Sequence, residues 1–390
     1  MTGFETIQKQ AKQSWDVLQQ GTQPIILVGT ASCGRAAGAG EVLKALREEL
    51  EAKKIVAQIF EVGCLGLCFA EPILTIKKPG QPSICYGSVT VEKAGQLIER
   101  YIQNNDPAAE LAMGTIGEGS IKGIQPLSEM PVMKPQVRRV LARCGVIDST
   151  QLDHYLAHLG YAGLSKALSL PREKVIEELK ASGLRGRGGA GFPTWRKWQF
   201  CVDAPGTQKY IVCNADEGDP GAFMNRSLLE GDPHAILEGM AIAGYAIGAS
   251  IGYIYCRAEY PLALERIRIA LKQAEKAGFM GKGVLGSDFN FQIKVKEGAG
   301  AFVCGEETAL IASIEGSRGM PRTRPPFPAI AGLWGKPTVI NNVETLASVG
   351  LIMQNGAAWF TQAGTPTCRG TKTFALVGNI LNTGLVEVPL

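Results

Sequence analysis

The chain has 390 residues, of which 45% are apolar, enough for two or three domains with cores of their own. Its 40 Lys and Arg against 36 Asp and Glu leave a net charge of +4 without a basic run, which argues against nucleic-acid binding. The first twenty residues are polar and lack the apolar core of a signal peptide, which predicts a cytoplasmic protein.

The first hundred residues predict a mixed α/β unit, because amphipathic helices alternate with short apolar strands. The predicted helices cover 4–20, 41–53 and 91–104. The predicted strands cover 24–29, 55–62, 72–77 and 83–87, the last two as a hairpin. We therefore expect a first domain over 1–104, followed by a flexible linker over 105–134, which is rich in Asn, Gly, Pro and Ser.

The most unusual stretch runs from 182 to 200 and reads SGLRGRGGAGFPTWRKWQF. Five glycines let the backbone lie against a ligand, and four cations stand beside it, a composition typical of phosphate binding. The stretch contains GxGxxG, but residues 172–181 before it have helical spacing, so the ordinary dinucleotide fingerprint is not favoured. A glycine-rich turn that serves only packing is the alternative interpretation of this stretch.

After this loop, strands alternate with long helices. Strands are predicted over 210–214, 252–257 and 289–295, and helices over 233–249 and 261–277. The alternation predicts a largely parallel sheet, whose ligands gather at the carboxyl ends of the strands. The uncharged segment 239–256 approaches the length of a membrane span, but Gly and Ser interrupt it, so we favour a buried helix followed by a buried strand and expect no transmembrane segment.

Three further stretches cluster polar residues beside apolar strands or glycines. They are 211–221 (IVCNADEGDPG), 298–308 (GAGAFVCGEET) and 340–345 (INNVET). Together with the glycine-rich loop, they resemble the NADH-oxidising flavoprotein subunit shared by respiratory NADH dehydrogenases, bidirectional hydrogenases and NAD-dependent formate dehydrogenases. The resemblance extends almost continuously from about 135 to 390.

The resemblance implies a Rossmann-like α/β domain over 135–370 that binds FMN and NADH. It also implies that 371–390 begin a ubiquitin-like β-grasp domain, which is cut short at Leu390. The family's 4Fe–4S cluster would be bound only by residues beyond that point. The expected activity is NADH oxidation or NAD reduction, with hydride transfer between NADH and FMN and onward one-electron transfer to iron–sulfur clusters.

The implied partners are a thioredoxin-like ferredoxin subunit and an iron–sulfur electron-transfer subunit. Both would belong to a hydrogenase, formate dehydrogenase or NADH dehydrogenase complex, either cytoplasmic or peripheral to a membrane. A catalytically silent assembly or docking subunit of such a complex is the alternative function.

The family's roles, carried over residue by residue, give two sets of site residues. Those expected to bind FMN are Gly186, Arg187, Gly188, Lys197, Asn214, Asp216, Glu217, Gly305, Glu306, Asn341, Asn342 and Thr345. Those expected to bind NADH are Phe192, Phe200, Asp219, Glu307, Arg324 and Phe327. No catalytic acid or base is expected, because the flavin itself accepts the hydride.

The first domain resembles the thioredoxin-like ferredoxin domain that some family members carry at the amino terminus. There, four thiolates spaced C-x4-C and C-x3-C hold a 2Fe–2S cluster. Cys33, Cys64 and Cys68 match three of them, while Val28 stands where the remaining cysteine is expected. Cys85 is the candidate replacement for the missing ligand.

Overall fold

The computed structural model describes residues 3–390, and its amino-terminal part is built on a five-stranded sheet. The strands are β1 (Ile25–Gly29), β2 (Gln58–Val62), β3 (Leu74–Lys77), β4 (Ser83–Tyr86) and β5 (Ala112–Ile116). Their spatial order is β2-β1-β3-β4-β5, with only the β1–β2 pair parallel. The helices of this part are α1 (Gly3–Gln20), α2 (Ser32–Ala36), α3 (Ala39–Ala52) and α4 (Val91–Leu97).

Two features of this part differ from the predicted division into a first domain and a linker. The helix α1 contributes Phe4 and Ala11 to the core of the second half of the chain rather than to the core beside the first sheet. The strand β5 lies inside the predicted linker and pairs with β4. The linker prediction missed β5 because its sequence, AMGTI, is short and contains Gly114, where a Cβ would lie only 2.7 Å from the Cα of Leu127.

The second half of the chain is built on a four-stranded sheet in which every neighbouring pair is parallel, as the alternation of strands and helices predicts. Its strands are β6 (Tyr210–Ala215), β7 (Ile251–Arg257), β8 (Gln292–Gly298) and β9 (Thr338–Asn342), in the order β8-β7-β6-β9. Its helices are α5 (Leu152–Ala157), α6 (Ala162–Leu168), α7 (Arg172–Ser182), α8 (Thr194–Asp203), α9 (Met224–Gly231), α10 (Pro233–Ile247), α11 (Pro261–Lys276), α12 (Glu307–Ile314), α13 (Pro328–Ala331), α14 (Val343–Asn355) and α15 (Ala357–Phe360).

The uncharged segment 239–256 forms the buried part of α10 and the strand β7. This confirms the prediction of a buried helix followed by a buried strand. Within residues 3–390, no helix has the length and apolar character required to cross a membrane.

A two-stranded antiparallel hairpin, β10 (Thr371–Leu376) and β11 (Gly384–Pro389), joins the two halves. The N–H of Leu385 donates to the carbonyl of Gly66 (2.9 Å), and the N–H of Phe69 donates to the carbonyl of Thr383 (3.0 Å). A Cβ at Gly384 would lie 2.1 Å from the oxygen of Gly66, so only glycine at position 384 allows these two backbone segments to come this close.

A second contact fixes the first sheet against α9. A Cβ at Gly63 would lie 2.5 Å from the Cα of Gly231, and both the N–H (2.9 Å) and the hydroxyl (2.5 Å) of Ser32 donate to the carboxylate of Glu230. The first sheet thus contacts α9 through backbone atoms and through the Ser32–Glu230 hydrogen bonds. Backbone contacts hold them together.

The buried carboxylate of Glu387, on β11, organises the start of the second half. It accepts hydrogen bonds from the N–H groups of Arg139 (2.8 Å), Val140 (3.1 Å) and Leu141 (2.9 Å), and from the hydroxyl of Thr371 (2.5 Å). A fully buried carboxylate requires such donors, because leaving water is costly for a charge.

Candidate functional site

A cavity of about 650 Å³ opens at the carboxyl ends of β6 and β9. Its walls are the glycine-rich loop with the start of α8, the turn before α12, and the proline-rich segment 324–330. The volume lies in the usual range of small-molecule sites, and the position is the one where parallel sheets bind ligands.

Most of the predicted FMN and NADH residues line this cavity. They are Gly186, Gly188, Phe192, Lys197, Phe200, Asn214, Gly305, Glu306, Glu307, Arg324, Phe327, Asn341 and Asn342. The other predicted residues are not part of its lining: Arg187, Asp216, Glu217, Asp219 and Thr345.

The glycine-rich loop is anchored through Arg187 and Thr345. The N–H of Arg187 donates to the hydroxyl of Thr345 (2.8 Å), and its buried guanidinium donates to the carbonyl of Arg369 (2.5 Å). Gly188 then passes so close to β9 that a Cβ there would lie 3.1 Å from the Cβ of Asn342. In this structure Arg187 and Thr345 thus hold the loop in place, while glycine makes the close approach possible.

Two adjacent asparagines end β9 beneath this loop. Asn341 is buried, and its Oδ1 accepts a hydrogen bond from Nε1–H of Trp198 (2.9 Å). Asn342 caps α14, with its Oδ1 accepting from the N–H of Glu344 (2.9 Å). Each amide is therefore held in one orientation by the hydrogen bond to its Oδ1, which also fixes the direction of its Nδ2 group.

A charged network forms one wall of the cavity. Lys197 contacts the carboxylate of Glu307, and its Nζ also donates to the carbonyl of Ile340 (3.0 Å). Arg324 lies 3.8 Å from a carboxylate oxygen of Glu307 and 3.8 Å from one of Glu306. Both cations thus have carboxylate partners here and stand at the surface of the cavity, where they can also reach an anionic ligand.

Glu306 has a structural contact as well as a place in the lining. Its carboxylate caps α12 by accepting from the N–H groups of Thr308 (2.8 Å) and Ala309 (3.1 Å). Burial alone would raise the pKa of Glu306, but these hydrogen bonds and the nearby Arg324 outweigh burial and hold the pKa below its ordinary value.

Three half-exposed aromatic side chains stand at the cavity. The exposed fractions are 41% for Phe192, 43% for Phe200 and 55% for Phe327. The ring centroids of Phe192 and Phe200 are 6.4 Å apart, and the guanidinium of Arg324 lies 5.9 Å from the ring of Phe327. Open apolar faces of this kind suit a flat heterocyclic ligand, since stacking on them removes apolar surface from water.

In the acidic loop after β6, one residue lines the cavity and another stabilises the start of α9. Asn214 bridges to the turn before α12 by donating from Nδ2 to the carbonyl of Gly305 (2.9 Å). Glu217 is buried and accepts from the N–H groups of Asn225 and Arg226 (both 3.1 Å) at the start of α9. Asp219 is exposed to solvent.

Asp216, in the same loop, has an unusual carboxyl group. Its Oδ2 is buried and has no hydrogen-bond partner within residues 3–390. Burial raises the pKa of Asp216 to about 6, although Arg257 acts in the opposite direction. The acid lies behind Gly305, whose Cβ position would be 3.7 Å from this oxygen.

Thr194, the first residue of α8, has no role in the sequence-based prediction. Its side chain is 1% exposed, lines the cavity, and has a hydroxyl without a partner in the described part of the chain. The sequence could have indicated Thr194, because the first residues of a helix often bind anions and this helix follows the glycine-rich loop. The other missed lining residues are Ala190, Gly191, Pro328, Ala329, Ile330, Thr338 and Ile340.

Cys33, Cys64 and Cys68 converge, as their spacing suggests. Their sulfurs are separated by 3.8 Å (Cys33–Cys64), 3.5 Å (Cys64–Cys68) and 3.5 Å (Cys33–Cys68), close enough for a shared metal centre. Hydrogen bonding with the Cys64 and Cys68 thiols lowers the pKa of the Cys33 thiol.

Neither proposed source of a fourth thiolate fits this group. Cys85 is fully buried in β4, and the three-cysteine group, as found in the described chain, does not include it. Burial raises the pKa of Cys85 to about 12. Val28 packs in the core beside the first sheet, in a cluster that contains none of the cysteines.

Comparison with known proteins places this geometry in a family. Residues 179–351 match the Nuo51 FMN-binding domain. The NADP-reducing hydrogenase subunit HndC of Solidesulfovibrio fructosivorans is 56% identical over 257 residues, which are 66% of this chain and 52% of the relative. The NAD-reducing hydrogenase HoxS subunit alpha of Cupriavidus necator is 38% identical over 331 residues, 85% of this chain and 52% of the relative.

An NADH-quinone oxidoreductase subunit of Aquifex aeolicus is 50% identical over 239 residues, 61% of this chain and 56% of the relative. A crystal structure of an NAD⁺-reducing NiFe-hydrogenase in the air-oxidized state aligns with 98% of this chain and 62% of its own chain, at a TM-score of 0.57 and 29% identity. The chain spans about half the length of the curated relatives. The chain is similar to these flavoprotein subunits, and its residues 179–351 match the Nuo51 FMN-binding domain.

Proposed function

We propose that the chain is the NADH-oxidising or NAD-reducing flavoprotein subunit of a multisubunit redox complex. The observation that carries the proposal is the single cavity in which the glycine-rich loop, two strand ends, two cations and three aromatic rings meet. FMN bound there would supply the hydride acceptor for NADH. The protein positions the two rings and contributes no acid or base to that transfer.

The polar end of the cavity fits FMN. Gly188 lines the cavity without a side chain, Thr194 offers a buried hydroxyl that has no partner among the described residues 3–390, and Lys197 supplies a cation, as a phosphate requires. The residues that we assign to FMN are Gly186, Gly188, Thr194, Lys197, Asn214, Gly305, Glu306, Asn341 and Asn342. Arg187 and Thr345 support them by holding the loop.

The aromatic end of the cavity suits NADH. Phe192, Phe200 and Phe327 present exposed faces for the adenine, and Arg324 lies beside the ring of Phe327. Glu307, held between Lys197 and Arg324, can accept a hydrogen bond from a ribose hydroxyl. We therefore assign the three phenylalanines, Glu307 and Arg324 to the nucleotide, and leave Asp219 outside this set because it does not line the cavity.

We further propose that Cys33, Cys64 and Cys68 hold a 2Fe–2S cluster. The convergence of three partly or fully buried thiols supports this assignment. The hairpin β10–β11 would begin a β-grasp domain. The electrons would pass to an iron–sulfur partner subunit of a cytoplasmic complex. That complex would be of the hydrogenase, formate dehydrogenase or NADH dehydrogenase type.

The test is the flavin absorbance of the purified chain, reconstituted with FMN and titrated with NADH without oxygen. Stoichiometric flavin that NADH bleaches is the expected result, together with NADH-dependent reduction of ferricyanide. A protein that stays colourless after reconstitution would instead support the silent assembly subunit. The cavity lining does not favour that alternative, since the Thr194 hydroxyl is buried there and has no hydrogen-bond partner among residues 3–390, as a group awaiting a ligand would be.

A further inference from the structure

An ion pair on α9 connects this helix to the three-cysteine group. The Nε of Arg226 lies 3.7 Å from a carboxylate oxygen of Glu230, which is one helical turn further along. The side chain of Glu230 is 2% exposed and that of Arg226 is 25% exposed, so salt screens the pair only weakly. Pairs at this spacing commonly do no more than stabilise their helix, and a further role requires a further contact.

That contact is with the turn that carries Cys33. The carboxylate of Glu230 accepts hydrogen bonds from the N–H (2.9 Å) and from the hydroxyl (2.5 Å) of Ser32. Ser32 is the first residue of α2, and Cys33 is the second. Glu230 therefore fixes the backbone next to one thiol of the group and places a negative charge beside it.

The positive charge of Arg226 is fixed as well. Its N–H donates to the carboxylate of Glu217 (3.1 Å), and its guanidinium lies 5.4 Å from the ring of Phe223 and 5.5 Å from that of Tyr260. Hydrogen bonding with the two neighbouring thiols is the main cause that lowers the pKa of Cys33, and Arg226 acts in the same direction, although burial opposes both. The charge of Arg226 thus acts on the three-cysteine group.

The carboxyl group of Glu230 is subject to opposing effects. Burial raises its pKa, and so does the nearby Cys33, whereas the hydrogen bonds from Ser32 and the charge of Arg226 lower it. Glu230 and Cys33 therefore influence each other electrostatically, so both members of the ion pair act on the same thiol.

We propose that Glu230 and Arg226 are positioning residues of the three-cysteine group and shift the reduction potential of the iron–sulfur cluster bound there in opposite directions. This inference rests on the proposed cluster. Reduction adds one electron to the cluster, so a nearby negative charge disfavours the reduced form and a nearby positive charge favours it. The two charges largely offset each other, and removing one leaves the effect of the other.

The experiment is a redox titration, monitored by EPR, of the full chain reconstituted anaerobically with iron and sulfide. Dithionite supplies the electrons, and mildly alkaline pH keeps Glu230 charged. Arg226→Gln should lower the midpoint potential of the cluster, Glu230→Gln should raise it, and the double variant should lie between the two. Arg226→Lys keeps the charge and should stay near the wild type.

The matched controls remove the charges of another ion pair within one helix. Lys174 and Glu177 form an exposed pair on α7, the helix that precedes the glycine-rich loop. Lys174→Gln and Glu177→Gln should therefore leave the midpoint potential unchanged. Iron and acid-labile sulfide, measured in each variant, show how much cluster is bound.

The signs of the two shifts separate an effect of charge from a loss of structure. Shifts of both single variants in the same direction, or wild-type potentials in both, would refute the role of the ion pair and leave the cluster standing. Absence of iron and sulfide from the reconstituted wild type would refute the proposed cluster and this inference together. If one glutamine variant binds no cluster, the other decides the question by the sign of its shift.

Discussion

At Gly188, the absence of a side chain shapes the proposed flavin site. A Cβ there would meet Asn342 at 3.1 Å, and a valine would add two methyl groups to that contact. We expect Gly188→Val to lose FMN, as measured by flavin absorbance after gel filtration. Gly40→Val is the control, because nothing lies within 4 Å of a Cβ at Gly40. Stoichiometric flavin in Gly188→Val would remove this loop from the flavin site.

Glu307 should act on the nucleotide rather than on the flavin. Its carboxylate contacts Lys197 and lies 3.8 Å from Arg324 at the aromatic end of the cavity. Glu307→Gln should change the Kd for NADH several-fold, about 1 kcal/mol, the size of one typical hydrogen bond. Equilibrium titration with NADH measures this, with exposed Glu48→Gln as the control. A loss of FMN with unchanged NADH binding would reverse the assignment.

Asp216 should give the stability of the protein a pH dependence of unusual sign. The pKa of its carboxyl group is raised from 3.8 to about 6 because burial disfavours the charged form. The folded state thus binds the proton more tightly than the unfolded state, so the contribution of Asp216 to stability falls as pH rises from about 4 to 6. Because the carboxyl group is only half buried, solvent screens its charge, and we expect the free energy of unfolding to change by roughly 1 kcal/mol across this pH range.

Urea unfolding of the wild type and of Asp216→Asn, below and above this pH window, checks that sign. The variant should gain stability relative to the wild type as pH rises, because the amide that replaces the carboxyl group has no charge to bury. A difference between the two proteins that does not change with pH would contradict the assignment.

For single residues, the sequence motifs predict which residues lie near the cavity better than they predict where each side chain points. Asn214, Asn341 and Gly188, which the sequence assigns to FMN, line the cavity, because each lies at a strand end or in the glycine-rich loop. Glu217 belongs to the same motif as Asn214, but its carboxylate faces the start of α9. Spacing along an irregular loop does not fix the direction of a side chain, so Glu217 could not be placed before the structure.

Among the elements, β11 depends on one buried acid. Glu387 satisfies three consecutive backbone N–H groups and one hydroxyl, which no neutral side chain can do. Glu387→Gln should lower the free energy of unfolding by about 2–3 kcal/mol, since donors to a charged acceptor lose their partner inside the core. Urea denaturation measures the change, and Glu48→Gln should stay near wild type because its ion pair with Lys44 is exposed. Equal midpoints for the two variants would contradict this role of Glu387.

The regular elements could be predicted wherever periodicity is strong. Both long helices α10 and α11 and the parallel strands β6 and β7 lie close to their predicted ranges. The strand β5 was missed, and the predicted strand at 289–295 was placed about three residues early, since β8 begins at Gln292. Short or glycine-containing strands gain their stability from partners distant in sequence, and a local pattern does not contain those partners.

For the whole molecule, the contact between Gly63 and Gly231 determines how the first sheet packs against the second half of the chain. Gly63→Ala would place a methyl group 2.5 Å from the Cα of Gly231, so the backbone of one half must move. We expect faster labelling of the buried Cys144 thiol, which lies beside Gly231, in a thiol-exchange assay. The control is Gly95→Ala, in open space on α4, which should stabilise the helix by up to about 1 kcal/mol. Equal labelling rates in both variants would show that the contact adapts.

The facing glycines at this contact also bear on how the protein can evolve. Gly63 opposes Gly231, and Gly66 opposes Gly384, so each pair joins residues that are distant in the gene but adjacent in space. Because backbone atoms make these contacts, surrounding side chains are free to drift, whereas a mutation at any of the four glycines cannot be compensated by enlarging its opposite residue. An amino-terminal unit acquired by gene fusion would therefore pack against the rest of the chain in this way only if it had glycine at the positions of Gly63 and Gly66. An unrelated unit of the same fold could not simply replace it.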